Sequence, residues 1–267
     1  MTVIDWDAFL LPYRQTVDEL CLKFNYLSQE LYAKEEVSPI AHVEGRVKKV
    51  GSILEKAFRK NIPYDEIKEK IEDIAGVRIT CLFVEDIQKV VELIRKRVGT
   101  DINMLQERDY LENIKPSGYR SYHILLKYTL ITSLGNEQVS AEIQIRTLTM
   151  DFWANIEHSL RYKYNGNIPG DIQERLLSSA EAAFKLDKEM GTIRDEIRGA
   201  QKISKIKEDL VSGILKNIQY LHFVVQLDKM NELNKKFFVL YEEGNLEKLY
   251  QFSQSLKTMA EMYRVKY

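Results

Sequence analysis

Glu142, Gln144 and Arg146 set a carboxylate, an amide and a guanidinium at every second residue. Val139, Ala141, Ile143 and Ile145 fill the alternate positions. Strict alternation over this length is the pattern of a β-strand with one buried face, and it lines up the polar side chains on the other face about 7 Å apart. Such a row could hold a metal, a hydroxyl and a phosphate in sequence. It could also be a solvated face with one ion pair. Asp73 supplies a second carboxylate just before another strand-like run, 77–84, which carries Arg78. Two separated carboxylates with open coordination positions suit Mg2+ that also holds substrate phosphates. Ser52, Lys56 and Lys60 recur at helical spacing with Arg59 adjacent. Together with Arg46 and Lys48 they have only Glu55 to balance them, which suits a polyphosphate ligand, although many basic stripes are simply solvated. A phosphoryl-type transfer asks for little beyond charge neutralisation, positioning and a proton acceptor.

The elements that must position these residues follow from period and punctuation. Residues 4–31 carry Leu10, Tyr13, Val17, Leu20, Phe24, Leu27 and Leu31 at alternating three and four spacing. That is a helical seam, lining either the core or a partner helix. Ser38-Pro39 breaks the chain, and 44–50 is short and extended. A helix to about residue 61 then presents Val50, Ile53, Leu54, Ala57 and Phe58 as its apolar face. A short helix is expected over 64–73, the strand over 77–84, a helix over 85–97 and a weaker strand over 103–109. Lys115-Pro116-Ser117-Gly118 reads as a loop. The next strand, 121–131, puts His123 on the face opposite Tyr122 and Ile124. Residues 133–136 turn it back into the strand of Glu142. A helix to about 164 offers Phe152, Trp153, Ile156 and Leu160 as its apolar side. After a turn at 165–170, a long helix runs to about 200, and the rest is helical in roughly three segments. This order predicts a mixed α/β or α+β layer fold.

Composition excludes several classes. The chain has 267 residues, 45% of them hydrophobic, enough for one large domain or a domain with an appendage. Its 39 Lys+Arg against 40 Asp+Glu leave a net charge of -1, so bulk charge points to neither a nucleic-acid coat nor a membrane surface. The residues contain no signal-peptide pattern and no apolar run long enough to span a bilayer. Cys21 and Cys81 form no CxxC pair and read as reduced packing residues of a cytoplasmic protein. A P-loop, a GxGxxG turn and an HExxH helix are all absent. No histidine is followed by Asp, and Cys and His are too scattered for a structural zinc.

Lys115-Pro116-Ser117-Gly118-Tyr119-Arg120-Ser121-Tyr122-His123 and Glu142-Ile143-Gln144-Ile145-Arg146-Thr147 together resemble the synthetase domain of the RelA/SpoT family. Gly45-Arg46-Val47-Lys48, Asp73-Ile74-Ala75-Gly76-Val77-Arg78 and Phe152-Trp153-Ala154-Asn155-Ile156-Glu157-His158 fit in the same order. The similarity covers about residues 1–200 and looks like a small alarmone synthetase of the tetrameric type, leaving 201–267 as a helical extension. It implies an α+β fold with a nucleotidyltransferase-like mixed sheet flanked by helices. The implied reaction moves pyrophosphate from ATP to the 3′-hydroxyl of GDP or GTP and releases AMP.

The resemblance also implies roles. Arg46 and Arg78 would sandwich adenine, and Lys48, Ser52, Lys56 and Arg59 would hold the ATP phosphates. Asp73 and Glu142 would bind Mg2+, with Glu142 taking the 3′-hydroxyl proton. Tyr119 would stack on guanine. Arg108, Lys115 and His123 would hold the acceptor phosphates, with Gln144 and Glu157 lining the pocket. Two other classes stay open: a transferase placing pyrophosphate on the 3′ end of tRNA, and a non-catalytic oligomer binding single-stranded RNA. In the product-stimulated subtype, pppGpp binds a cleft between subunits. At the matching positions this chain has Cys21, Asn25, His42 and Asp151, two cations fewer and one anion more, so no stimulation is expected there.

Overall fold

The computed structural model describes residues 5–33, 37–133, 135–163 and 168–264. The chain divides into two compact units, Met1–Thr192 and Ile193–Tyr267. The first is built on five strands: β1 (His42–Val47), β2 (Ala75–Cys81), β3 (Ile102–Asp109), β4 (Tyr122–Thr132) and β5 (Gly135–Thr147). Their order across the sheet is β1-β2-β5-β4-β3. Only β2 and β5 run parallel, so the sheet is mixed, as the resemblance implied.

Alternation decides which face is which. Val139, Ala141, Ile143 and Ile145 of β5 are buried, in register with Ala75, Val77 and Ile79 of β2. The helices α1 (Trp6–Ala33) and α4 (Val84–Arg95) pack on the sheet, and their apolar residues join these strands in one core. Leu10, Tyr13, Val17, Leu20 and Phe24 are buried, so the seam of α1 lines the core. Each such side chain, fully buried, contributes about 1.5–3 kcal/mol. The approach is close at one point: a Cβ on Gly45 would lie 2.4 Å from Val17 Cγ1 and 2.6 Å from Cys21 Sγ. A side chain there would push α1 off the sheet.

The other face carries the chemistry. Paired residues on neighbouring strands point the same way. The register therefore lines up Glu44, Arg78, Gln144, His123 and Arg108 in one row across all five strands. A second row runs Arg46, Gly76, Glu142.

The remaining elements of this unit are α2 (Val50–Arg59), a 3-10 turn (Tyr64–Glu66), α3 (Ile67–Lys70), α5 (Leu148–Lys163) and the start of α6 (Gly170–His222). Three expectations are corrected. Phe58 is 88% exposed; the buried side of α2 is Ile53 and Ala57. On α5 the buried residues are Met150, Trp153 and Ala154, whereas Phe152 and Ile156 face out. The helix expected over 64–73 is only the 3-10 turn and the single turn of α3. Leu134 and residues 164–167, where the hairpin turn, the end of α5 and much of the 165–170 turn were expected, lie outside the described residues, as does Ile4.

The second unit holds the rest of α6 with α7 (Leu227–Glu243) and α8 (Leu246–Arg264). The helix expected to end near 200 continues unbroken to His222, through Gly191, Gly199 and Gly213. Each glycine costs about 1 kcal/mol against alanine in a helix. The apolar positions of α6 further along offset this: Ile214, Ile218 and Leu221 pack with Met230, Phe237, Leu249, Phe252 and Leu256. The aromatics of the extension thus partly serve its own core, while Phe238, Tyr241 and Tyr250 stay exposed. Gly244 takes the left-handed conformation (φ 68) that stops α7. Asn245 then accepts from the backbone N–H groups of Glu247 and Lys248 to cap α8.

Candidate functional site

Asp73 sits at the lip of β2, and its carboxylate is already engaged. Lys48 Nζ donates to Oδ2 at 2.7 Å. Lys56 Nζ lies 2.7 Å from Oδ1, yet that oxygen is buried and has no hydrogen bond of good geometry. Burial pushes the Asp73 carboxyl up, but the two lysines held against it outweigh this and keep it below the usual carboxylate range. A depressed carboxyl adds stability that is complete above its unfolded pKa and is lost as pH falls through the folded one. The two cations come from different places: Lys48 follows β1 directly, and Lys56 stands on α2.

Glu142 stands in the second row, opposite Gly76, over which the Arg46 side chain lies. It accepts from His123 Nδ1 at 3.0 Å and from Gln144 Nε2 at 2.9 Å. Burial raises its carboxyl too, and the hydrogen bond and charge of His123, then Gln144, bring it below the usual range. An ionised carboxylate only accepts, so Nδ1 carries a proton. In a neutral ring Nε2 then accepts from the Tyr119 hydroxyl, 3.0 Å away. Glu142, His123 and Tyr119 thus form one hydrogen-bonded chain.

Tyr119 belongs to the loop between β3 and β4. Lys115 Nζ lies 4.1 Å from the Tyr110 ring centroid and 4.8 Å from that of Tyr119. Burial lowers the Lys115 pKa, with Glu142 opposing and Arg108 adding to the shift. The loop is seated on α6. Gly118 has φ +84, and a Cβ there would lie 2.6 Å from Ala180 Cβ. Arg120 donates to Gly118 O at 3.1 Å and lies over Phe184, 4.4 Å from its centroid. Trp153 of α5 donates to Ser179 of α6 at 2.9 Å. Thr147, at the end of β5, donates to the buried Asp187 at 2.5 Å.

These residues line three spaces that share Arg46. Arg46, Arg78, Lys115, Tyr119, His123, Gln144 and Glu157 border a cleft of about 620 Å³. Arg46, Lys48, Ser52, Lys56 and Arg59 border a basic groove of about 760 Å³, with His158 shared by both. Between them, Asp73 and Glu142 share a recess of about 30 Å³ with Arg46 and Arg78. That is about the space of one water, or of a small hard cation. Among the described residues no three His, Cys, Asp or Glu gather as a metal cage. Asp73 and Glu142, hard oxygen donors both held below the usual carboxylate range, nonetheless fit an ion that takes its other ligands from substrate and water. Arg108 stands beside His123 in its row but does not line the cleft; its guanidinium donates to Gln106 at 2.6 Å.

Several residues take roles that the sequence reading did not give them. Arg146, considered there as a phosphate ligand, is 3% exposed and donates to Asp151 at 2.8 Å. Asp151 also pairs with Arg78 at 3.3 Å, so its charge is taken up locally rather than offered to a ligand elsewhere. Asn155 accepts from Arg78 at 3.4 Å and donates to Asp151 at 3.0 Å. Arg161 pairs with Glu157, a partnership that i, i+4 spacing could have flagged. Tyr110 had no sequence signal beyond its type.

Residues 45–167 match the family described as a region found in RelA/SpoT proteins. The chain is 52% identical over 196 residues to the GTP pyrophosphokinase YjbM of Bacillus subtilis, covering 73% of this chain and 92% of that one. A GTP pyrophosphokinase family protein from Streptococcus pneumoniae superposes with a TM-score of 0.70 at 46% identity, covering 75% of this chain and 98% of its own. The small alarmone synthetase 1 of B. subtilis, solved bound to its product pppGpp, superposes with a TM-score of 0.68 at 51% identity, over 72% and 97% of the two chains.

Proposed function

The chain belongs to the RelA/SpoT family of GTP pyrophosphokinases, and on that premise we propose that it is a small alarmone synthetase. It transfers the β,γ-pyrophosphate of ATP to the 3′-hydroxyl of GDP or GTP, making ppGpp or pppGpp and AMP. The observation that carries the reading is the placement of Glu142. It shares a recess with Asp73, which two lysines of the basic groove hold, and it accepts from His123, whose other ring nitrogen meets the Tyr119 hydroxyl.

In this reading Arg46 and Arg78 sandwich adenine as planar cations, with Asp151 and Asn155 fixing the Arg78 plane. Lys48, Ser52, Lys56 and Arg59 hold the triphosphate. Tyr119 stacks on guanine, Glu157 and Gln144 line its pocket, and Lys115, His123 and Arg108 take the acceptor phosphates. Glu142 accepts the proton of the 3′-hydroxyl. The freed oxygen attacks the β-phosphorus, and the bond from that phosphorus to the α-phosphate oxygen breaks, so AMP leaves. Mg2+ held by Asp73 and Glu142 would neutralise phosphate charge as it shifts. We assign the activity to residues 1–200, with 201–267 as a helical extension, and the working form to a cytoplasmic homotetramer.

Offering GDP, GTP and tRNA in parallel with labelled ATP tests the acceptor. Label on the guanosine 3′ position is the expected result. Label on the tRNA 3′ end alone would replace this reading with the tRNA transferase, and binding of single-stranded RNA without AMP release would replace it with a non-catalytic oligomer.

A further inference from the structure

Neither Asp73 nor Glu142 has a free carboxylate. Asp73 is held by Lys48 and Lys56, each at 2.7 Å and each about four-fifths buried as a side chain (18% and 20% exposed). Glu142 is held from the other side by His123 and Gln144. Lys48 and Lys56 also line the basic groove, which Asp73 does not. The same two ammonium groups therefore lie at the junction of a phosphate groove and a metal recess.

Charge decides what can enter first. Asp73 with its two lysines carries a net positive charge, so a bare divalent cation meets repulsion there and can coordinate Oδ1 or Oδ2 only by displacing an ammonium. Displaced into the open, those lysines would lose their anionic partner at a partly buried position. A polyphosphate in the groove supplies a replacement partner of higher charge. We propose that Lys48 and Lys56 form a latch on Asp73: they keep the metal recess closed until the donor triphosphate draws them off. Metal and donor nucleotide then bind with positive coupling, and by linkage each raises the affinity of the other equally. The latch rests on the assignment of Asp73 and Glu142 as metal carboxylates and adds to it a positioning role for the two lysines.

Manganese binding to the full-length, nucleotide-free protein tests this, followed by the electron paramagnetic resonance of free Mn2+. The forms compared are wild type, Lys56→Gln, the double variant Lys48→Gln with Lys56→Gln, and that double variant with Asp73→Asn. Circular dichroism checks each fold, and the single variant carries the test should the double one unfold. Wild type should bind Mn2+ only weakly. Removing the lysine charges should tighten binding by roughly 5–150-fold, the range of ordinary site-to-site coupling. Adding Asp73→Asn should abolish the gain. Wild type binding as tightly as the lysine variants, with Asp73→Asn weakening it, would overturn the latch while leaving the metal assignment intact. Tighter binding that survives Asp73→Asn would overturn the metal assignment and the latch with it.

Discussion

The donor and acceptor sides of the site are held in place by different means. On the donor side, β1 supplies Arg46 and leads directly to Lys48, β2 carries Arg78, and α2 carries Ser52, Lys56 and Arg59. Ladder hydrogen bonds between β1 and β2 hold Arg46 and Arg78, and two ion pairs on Asp73 hold Lys48 and Lys56. On the acceptor side, Tyr119 and Lys115 belong to a loop whose position depends on close contact with α6 at Gly118 and on Arg120 over Phe184. The two sides meet at Asp73 and Glu142. The donor side should therefore be sensitive chiefly to changes in charge, and the acceptor side to changes in packing as well.

The largest effect is expected where the sides meet. Glu142→Gln keeps the size and loses the charge that takes the proton. General-base loss alone costs about 10²–10⁴ in rate, so AMP release should fall to background with the fold intact. Activity within about tenfold of wild type would remove Glu142 from the mechanism.

Tyr119→Ala separates the sides. It should cost about 1–3 kcal/mol of stacking and raise the KM for GDP with little change in that for ATP. Equal rises for both nucleotides would mean that the loop does not mark the guanine side. A subtler form is Gly118→Ala. Its Cβ would lie 2.6 Å from Ala180 Cβ at a left-handed φ of +84. Strain of about 1–3 kcal/mol should displace the loop, raising the acceptor KM while a fluorescent ATP analogue binds as before. If the acceptor KM stays at its wild-type value, α6 does not seat the loop.

The basic stripe and the polar face of β5 were more legible in the sequence than the seat of the acceptor loop, for a physical reason. Alternation in β5 and helical spacing in α2 are local signals, so the polar face of Glu142 and the basic stripe could be read before any contact was known. The position of Glu142 against His123 depends on the register of β4 on β5, which spacing alone leaves free. The seat of Gly118 on Ala180 joins residues far apart in sequence. The outward turn of Phe58 and Phe152 was illegible for the same reason: helical period says which residues share a face, not which face is covered. The continuity of α6 through its glycines shows that a single glycine, costing about 1 kcal/mol, does not end a long helix.

The most direct test of the central claim is product stoichiometry in one reaction containing the protein, Mg2+, GDP and ATP labelled in its γ-phosphate. The account predicts AMP and 3′-labelled guanosine tetraphosphate appearing in equal amounts, with neither formed when GDP is left out. AMP formed without GDP, or label released as free pyrophosphate or phosphate, would contradict it.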